Sequence, residues 1–321
     1  KEVRADDGLM RYCHDAFERY RAPGGQARFD SVFMRDTDGR ARARWPPAAP
    51  SVKYVGRDDG WRDNFKGASR LAEARSHAAY ISRAGFSETT KMWGFSIAAP
   101  IYAENGDPIG IIGAVIESGA TLGTLELKDP SDNRHIAMVI APRENTPATR
   151  NDPLPEDHVI LVHDSLPGGK TAFLKNNLSV RRAVELAEAS NPNRGLSQLL
   201  LADPNAVTFD EVFCDPVMDG PCEDASGKTR PGRWLAGFAP IGNTGFVAIV
   251  ARRRIPGVAA WKAAGRSAGD AMLHGALAEY FRKPLFADLA DLWRKPKGRY
   301  RNVHDRSRSI ADQSSHRGRA Y

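Results

Sequence analysis

Residues 94 to 117 read GFSIAAPIYAENGDPIGIIGAVIE. Two near-continuous apolar runs, GFSIAAPIY and IGIIGAVIE, flank the turn ENGD, and an Asn-Gly pair between two such runs is a strong short-range hairpin signal. Both runs are too apolar for a solvated edge, so they are expected at the middle of a sheet. A second segment repeats the plan: WLAGFAPI, the turn GNTG and FVAIVARR, from Trp234 to Arg253.

Outward from the first hairpin, Asp6 or Asp7 offers an N-cap, and Leu9, Cys13, Phe17 and Tyr20 recur at helical spacing. RAPGG (21–25) ends that helix. FDSVFM (29–34) alternates like a strand, followed by turn residues Asp36, Asp38 and Gly39, a polar stretch to Trp45 and a Pro-rich loop. A helical stretch is expected between Trp61 and Arg83, ending near a short strand AYIS (79–82). Past Gly123 come IAMVIAP (136–142) and HVILVHD (158–164) as strands, a helix at 178–189, and a long irregular stretch to about Arg233. From Pro256 the pattern turns to amphipathic helix, interrupted by Pro284. The expected class is α+β: a long N-terminal helix and first unit (1–122), a second unit with its own antiparallel sheet (123–255), a helical extension (256–293) and a basic tail (294–321).

The formal charge of +7 is a property of that tail. Of 46 Lys and Arg and 39 Asp and Glu, nine and two fall in 294–321, so residues 1–293 carry 37 of each sign. The nine are Arg294, Lys295, Lys297, Arg299, Arg301, Arg306, Arg308, Arg317 and Arg319. A basic tail on a neutral body is either a solvated extension or an arm that clamps a partner. Having too few apolar residues to order itself, it is expected to bind protein subunits of a larger complex. A neutral body argues against nucleic acid. No run of about 18 apolar residues is present, so no membrane-spanning segment is expected. The chain begins at Lys1, where a signal peptide or anchor is expected to have been removed or left out.

Catalytic and metal motifs fail on spacing. Gly169-Lys170-Thr171 and Gly227-Lys228-Thr229 lack the earlier glycine of a phosphate loop, having Asp164 and Cys222 there. Asp36-Thr37-Asp38-Gly39 lacks the later oxygen ligands of a calcium loop. His158 and His163, five apart on a strand, would face opposite ways. His77, Ser82 and Asp63 have no motif fixing a nucleophile. No enzyme, cofactor or metal is expected. Cys214 and Cys222 flank DPVMDGP and form either a disulfide or two buried thiols.

GWRDNFKGA (60–68), AYISRAGFSE, MWGFSIAAPIY and IGIIGAVIESGATLG, with GRWLAGFAPIGNTGFVAIV (232–250), resemble a double Cache extracytoplasmic sensor region of the kind that accompanies bacterial transmembrane serine/threonine kinases. The resemblance covers about Asp6 to Arg253. It implies two PAS-like units, the first holding a small-molecule pocket lined by Trp61, Arg62, Tyr80, Ser82, Trp93, Phe95 and Ser96. An Arg beside aromatics suits a carboxylate. Otherwise Trp61, Trp93 and Phe95 are core and Arg62 pairs with Asp63 or Glu88. The chain departs from amino-acid-binding relatives in having Val115 and Ile116 where they carry an Asp, and from the kinases in lacking the membrane-spanning helix after the second unit. Two functions follow: a non-catalytic accessory subunit docked on a membrane-associated assembly such as a photosynthetic or respiratory complex, or an extracytoplasmic carboxylate sensor. Either is expected at the periplasmic face of a membrane.

Overall fold

The computed structural model describes residues 7–19, 29–48, 53–118, 135–153, 155, 157–166, 170–175, 208–226, 230–241 and 244–253. The expected helix at 178–189, the extension and the basic tail lie outside these residues. Two helices are described, α1 (Asp7–Arg19) and α2 (Asp63–Glu73). The strands are β1 (Ser31–Arg35), β2 (Ala41–Trp45), β3 (Tyr80–Ile81), β4 (Gly85–Ser87), β5 (Met92–Tyr102), β6 (Pro108–Glu117), β7 (His135–Pro142), β8 (His158–His163), β9 (Ala172–Leu174), β10 (Thr208–Phe213), β11 (Trp234–Ile241) and β12 (Phe246–Arg253).

They form two six-stranded sheets with antiparallel pairing throughout. The first runs β2-β1-β6-β5-β3, with β4 also on β5, and the second runs β10-β11-β12-β7-β8-β9. The class is α+β, with two antiparallel sheets and two helices among the described residues, as expected.

The β5–β6 hairpin sits inside its sheet, pairing Gly94 with Glu117 through to Tyr102 with Pro108. Its turn is closed by Ala103 N–H to Asp107 O (2.8 Å), with Gly106 at φ +83°, a conformation glycine adopts without a Cβ clash. Alternation then assigns faces. Ser31, Phe33, Arg44, Ser96, Ala98 and Val115 share one face, because β1 pairs Ser31 with Val115 and Phe33 with Arg44. Val32, Phe95, Ile97, Ile112 and Ile116 share the other.

Helix α2 packs on the first face, its Ala68 joining Phe33, Ala98 and Ile111. Gly67 is required there, since a Cβ would run into the Tyr80 ring. Helix α1 buries Cys13 and Phe17, and burial pushes the Cys13 thiol up to about 12. Phe17 meets Phe29 edge-on at 5.7 Å.

Several sequence expectations are corrected. The helix expected between Trp61 and Arg83 is only Asp63–Glu73, terminating where Arg75 takes φ +50°. The stretch expected to be irregular before Arg233 contains β10, an edge strand whose Asp210 and Glu211 break the apolar pattern. Strands β4 and β9, three residues each, are too short to alternate visibly.

His158 and His163 do not face opposite ways. A register shift lets Val139 pair with Val162 and Ile140 with Ile160, so Leu161 is the extra residue. The bulge reverses the alternation and puts both imidazoles on one face, opposite Pro142 and Met138. No metal-ligand cluster results among the described residues. His163 Nε2 lies 3.0 Å from Asp215 Oδ2, with both side chains fully buried. Asp215 follows Cys214, which is bonded to Cys222 across a Cα separation of 5.7 Å.

Two outcomes are expected. Gly67→Ala, favourable by helix propensity alone, overpacks against Tyr80 and should lose about 1–2 kcal/mol in urea denaturation. His158 is buried, with no partner for either ring nitrogen, and burial lowers it from 6.5 to about 4. Because the folded value is depressed, its contribution is complete above pH 6.5 and is lost as pH falls toward 4. Stability should drop by about 3 kcal/mol across that window, and His158→Gln should flatten the profile.

Candidate functional site

Between the inner face of the first sheet and α2 lies a cleft of about 550 Å³ including its open mouth, with about 50 Å³ of space for water-sized occupants inside. Its lining is unusually rich in cations for a protein interior: Arg35, Arg44, Arg57, Arg62 and Arg83. Two buried carboxylates pair with three of them, Arg35, Arg57 and Arg62.

The first is Asp59, 1% exposed in the loop that leads into α2. It accepts Arg57 Nε and Nη2, both at 3.0 Å, and Arg35 Nη2 at 3.2 Å, with Arg62 Nε at 3.7 Å. Burial by itself would raise this carboxyl, but Arg35, then Arg62 and Arg57, outweigh it and hold it below the ordinary carboxylate value. Arg35 also donates to Asn64 Oδ1 (2.6 Å) and lies 4.3 Å over the Phe33 ring. Asn64 in turn donates to Ser96 Oγ at 3.0 Å. Ser96 N–H donates to Ser82 Oγ (2.9 Å), and that hydroxyl donates to Arg83 O (2.8 Å). A continuous polar chain thus runs from β1 through α2 to β5.

The second carboxylate is Glu144, which comes from the second unit just past β7. Residues 142–144 pair with Ala84: its N–H reaches Pro142 O, and Glu144 N–H reaches Ala84 O, both at 2.8 Å. That seats the buried Glu144 carboxylate against Arg62 Nη1 and, at 3.2 Å, the Asp63 N–H at the start of α2. It acts as an imported cap at a helix end with no cap of its own. Burial pushes the Glu144 carboxyl up, against the pull of Arg62.

Of the seven residues expected to line the pocket, Arg62, Ser82 and Ser96 do so. Trp61 lies under Arg62, ring to guanidinium 4.6 Å. Tyr80 turns to α2, where its hydroxyl donates to Asp63 Oδ2 at 3.0 Å. Trp93 and Phe95 do not line it. One residue out of phase with Gly94 and Ser96, they face the second unit, meeting Phe173 at 5.4 Å and Phe246 at 4.9 Å.

Arg62 pairs with Glu144 and Asp59, whereas the sequence suggested Asp63 or Glu88, and its Nη2 donates to Phe86 O. Glu88 instead binds Lys91. His77 meets Tyr102 edge-on at 4.8 Å and Asp63 accepts from Tyr80 and Arg83 N, so no triad with Ser82 assembles.

Sequence reasoning missed Ser31, Arg35, Arg44, Tyr54, Arg57 and Glu144. One signal was present: Ser31 and Arg35 stand four apart, hence on one face, in the otherwise apolar strand SVFMR.

No family model matches the chain, and no curated protein matches it in sequence. Among solved structures, the sensor domain of the histidine kinase DctB from V. cholerae is 13% identical, with 78% of this chain and 79% of that chain covered and a TM-score of 0.42. The extracellular domain of the histidine kinase rpHK1S-Z16 gives 16%, 80%, 82% and 0.42. The ligand-binding domain of the Pseudomonas aeruginosa amino-acid chemoreceptor PctB, in complex with L-Gln, gives 14%, 81%, 83% and 0.38.

Removing Glu144 takes from Arg62 its hydrogen-bonded carboxylate, leaving it only the more distant Asp59 at 3.7 Å, and leaves the Asp63 N–H open. Glu144→Ala should therefore cost about 3–5 kcal/mol in chemical denaturation. Glu144→Gln retains acceptors and should cost less. Equal stability of wild type and Glu144→Ala would show that this contact contributes nothing.

Proposed function

We propose that the first unit is a non-catalytic sensor module that binds a small carboxylate in the cleft between its sheet and α2. One observation carries this: the centre of the unit, where apolar side chains would otherwise close the core, is an open cavity lined by buried Ser31, Asn64, Ser82 and Ser96 and by guanidinium groups. Burying so much polarity around an empty space is costly for a mere scaffold and suits a binding site.

The surroundings support a sensing role. Glu144 belongs to the second unit yet forms part of the cleft wall, so a ligand there would contact both units and could bias the balance between two arrangements of them. The Cys214–Cys222 bond favours an oxidising, extracytoplasmic compartment. No helix of the described residues is long and apolar enough to cross a membrane. The accessory-subunit alternative rests on the basic tail, which lies outside the described residues, and the cleft gives it no support.

Thermal unfolding of the chain in the presence of acetate, propionate, lactate and succinate tests this. A ligand at about 100 times its dissociation constant stabilises by about 2.7 kcal/mol, a clear rise in Tm. No shift with any of them, at concentrations where chloride also gives none, sinks the sensor reading.

A further inference from the structure

We infer that the anion-binding point of the cleft is Arg44 on its floor, with Arg62 at the wall already satisfied, and that the ligand is a short carboxylate without an ammonium group. This rests on the sensor reading and narrows it to a ligand class and a binding residue.

The arginines differ in what they hold. Arg35, Arg57 and Arg62 each have a carboxylate within ion-pairing distance, and Arg83 is not without a partner. Arg44, 8% exposed on β2, donates from Nη1 to Pro46 O at 3.1 Å and has no carboxylate within that distance among the described residues. Glu117 and Asp30 act on it only at longer range. A buried guanidinium has five donors and no means of losing its charge, so one carbonyl leaves it short of both acceptors and counter-charge.

Its neighbours on the floor are matched to a carboxylate. Arg44 pairs across the strands with Phe33, and Ser31 is the next residue of β1 on that face. Ser31 is fully buried, lines the cleft, and its hydroxyl has no partner. Tyr54, itself a buried residue, belongs to the same lining and carries a second hydroxyl. A guanidinium and two hydroxyls can together donate to both oxygens of one carboxylate. Val115, paired with Ser31 and Ser96, gives a small apolar surface for the carbon chain.

Charge then argues against amino acids. An ammonium needs an open carboxylate, but Asp59 is shared by three guanidinium groups and Glu144 by Arg62 and the Asp63 N–H. Glu117 accepts from Thr90 Oγ1 and is absent from the cleft lining. A zwitterion would place its cation among arginines.

Titration calorimetry and thermal unfolding with propionate, L-alanine and inorganic phosphate test the assignment, since alanine is propionate with an added ammonium group. Wild type should bind propionate at least about tenfold more tightly than either competitor. Arg44→Met should weaken propionate by about tenfold or more while the ligand-free Tm stays equal or rises, because an uncompensated buried charge has gone. Should Arg44→Met not fold, Ser31→Ala is expected to weaken propionate several-fold with little change in stability.

Propionate binding that is unchanged in Arg44→Met, or in Ser31→Ala where Arg44→Met does not fold, overturns the assignment and leaves the sensor reading standing. Tighter binding of alanine or phosphate than of propionate overturns the ligand class. Failure of propionate, alanine and phosphate alike on the wild type overturns the assignment, and the sensor reading falls with it only if acetate, lactate and succinate also give no shift.

Discussion

Three guanidinium groups converge on the carboxylate of Asp59, and the geometry of the first unit hangs on that convergence. Arg35 belongs to β1, Arg57 and Arg62 to the loop that enters α2, so one buried charge ties the sheet to the helix. The loop is fastened again where Asp59 N–H reaches Gly39 O at 3.0 Å, with Gly39 at φ +81° and a Cβ there blocked by Gly60. Without Asp59, three cations would face one another in a medium that screens charge poorly. With it, α2 stands over the sheet at a distance set by arginine side chains, and the space left between them is the cleft.

The same demand for charge balance draws in the second unit. Three arginines exceed one aspartate, and the next carboxylate is supplied from beyond β7 by Glu144. Its backbone is clasped on both sides of Ala84. On the opposite face of the first sheet, Trp93 and Phe95 meet Phe173 and Phe246. The two units are therefore joined by an apolar contact away from the cleft and by a polar one that forms the cleft wall. That pairing is what a module needs if occupancy is to be felt outside the cleft.

Much of the fold was legible because hairpins are local. GFSIAAPIYAENGDPIGIIGAVIE and the GNTG hairpin carry strand propensity, turn chemistry and register within some twenty residues, and each forms as its pattern requires. Edge strands were not legible: β4 and β9 are too short for a period, and β10 carries acids on a solvent-facing edge. The bulge at Leu161 was equally hidden, since one extra residue reverses every later facing without altering composition.

The site was legible only in part. Of the residues named through family resemblance, Arg62, Ser82 and Ser96 reach the cleft, while Trp93 and Phe95 point to the other face of the sheet, because resemblance carries no phase and strand alternation does. Glu144 lies 82 residues from Arg62, and no spacing rule links them. Sequence alone determined that the chain has two sheet units with their central hairpins, because those depend on neighbours a few residues apart. Which arginine is paired, which is left without a carboxylate, and which face holds the cleft were decided only by tertiary structure, because burial and charge pairing arise between segments that the chain brings together from far apart.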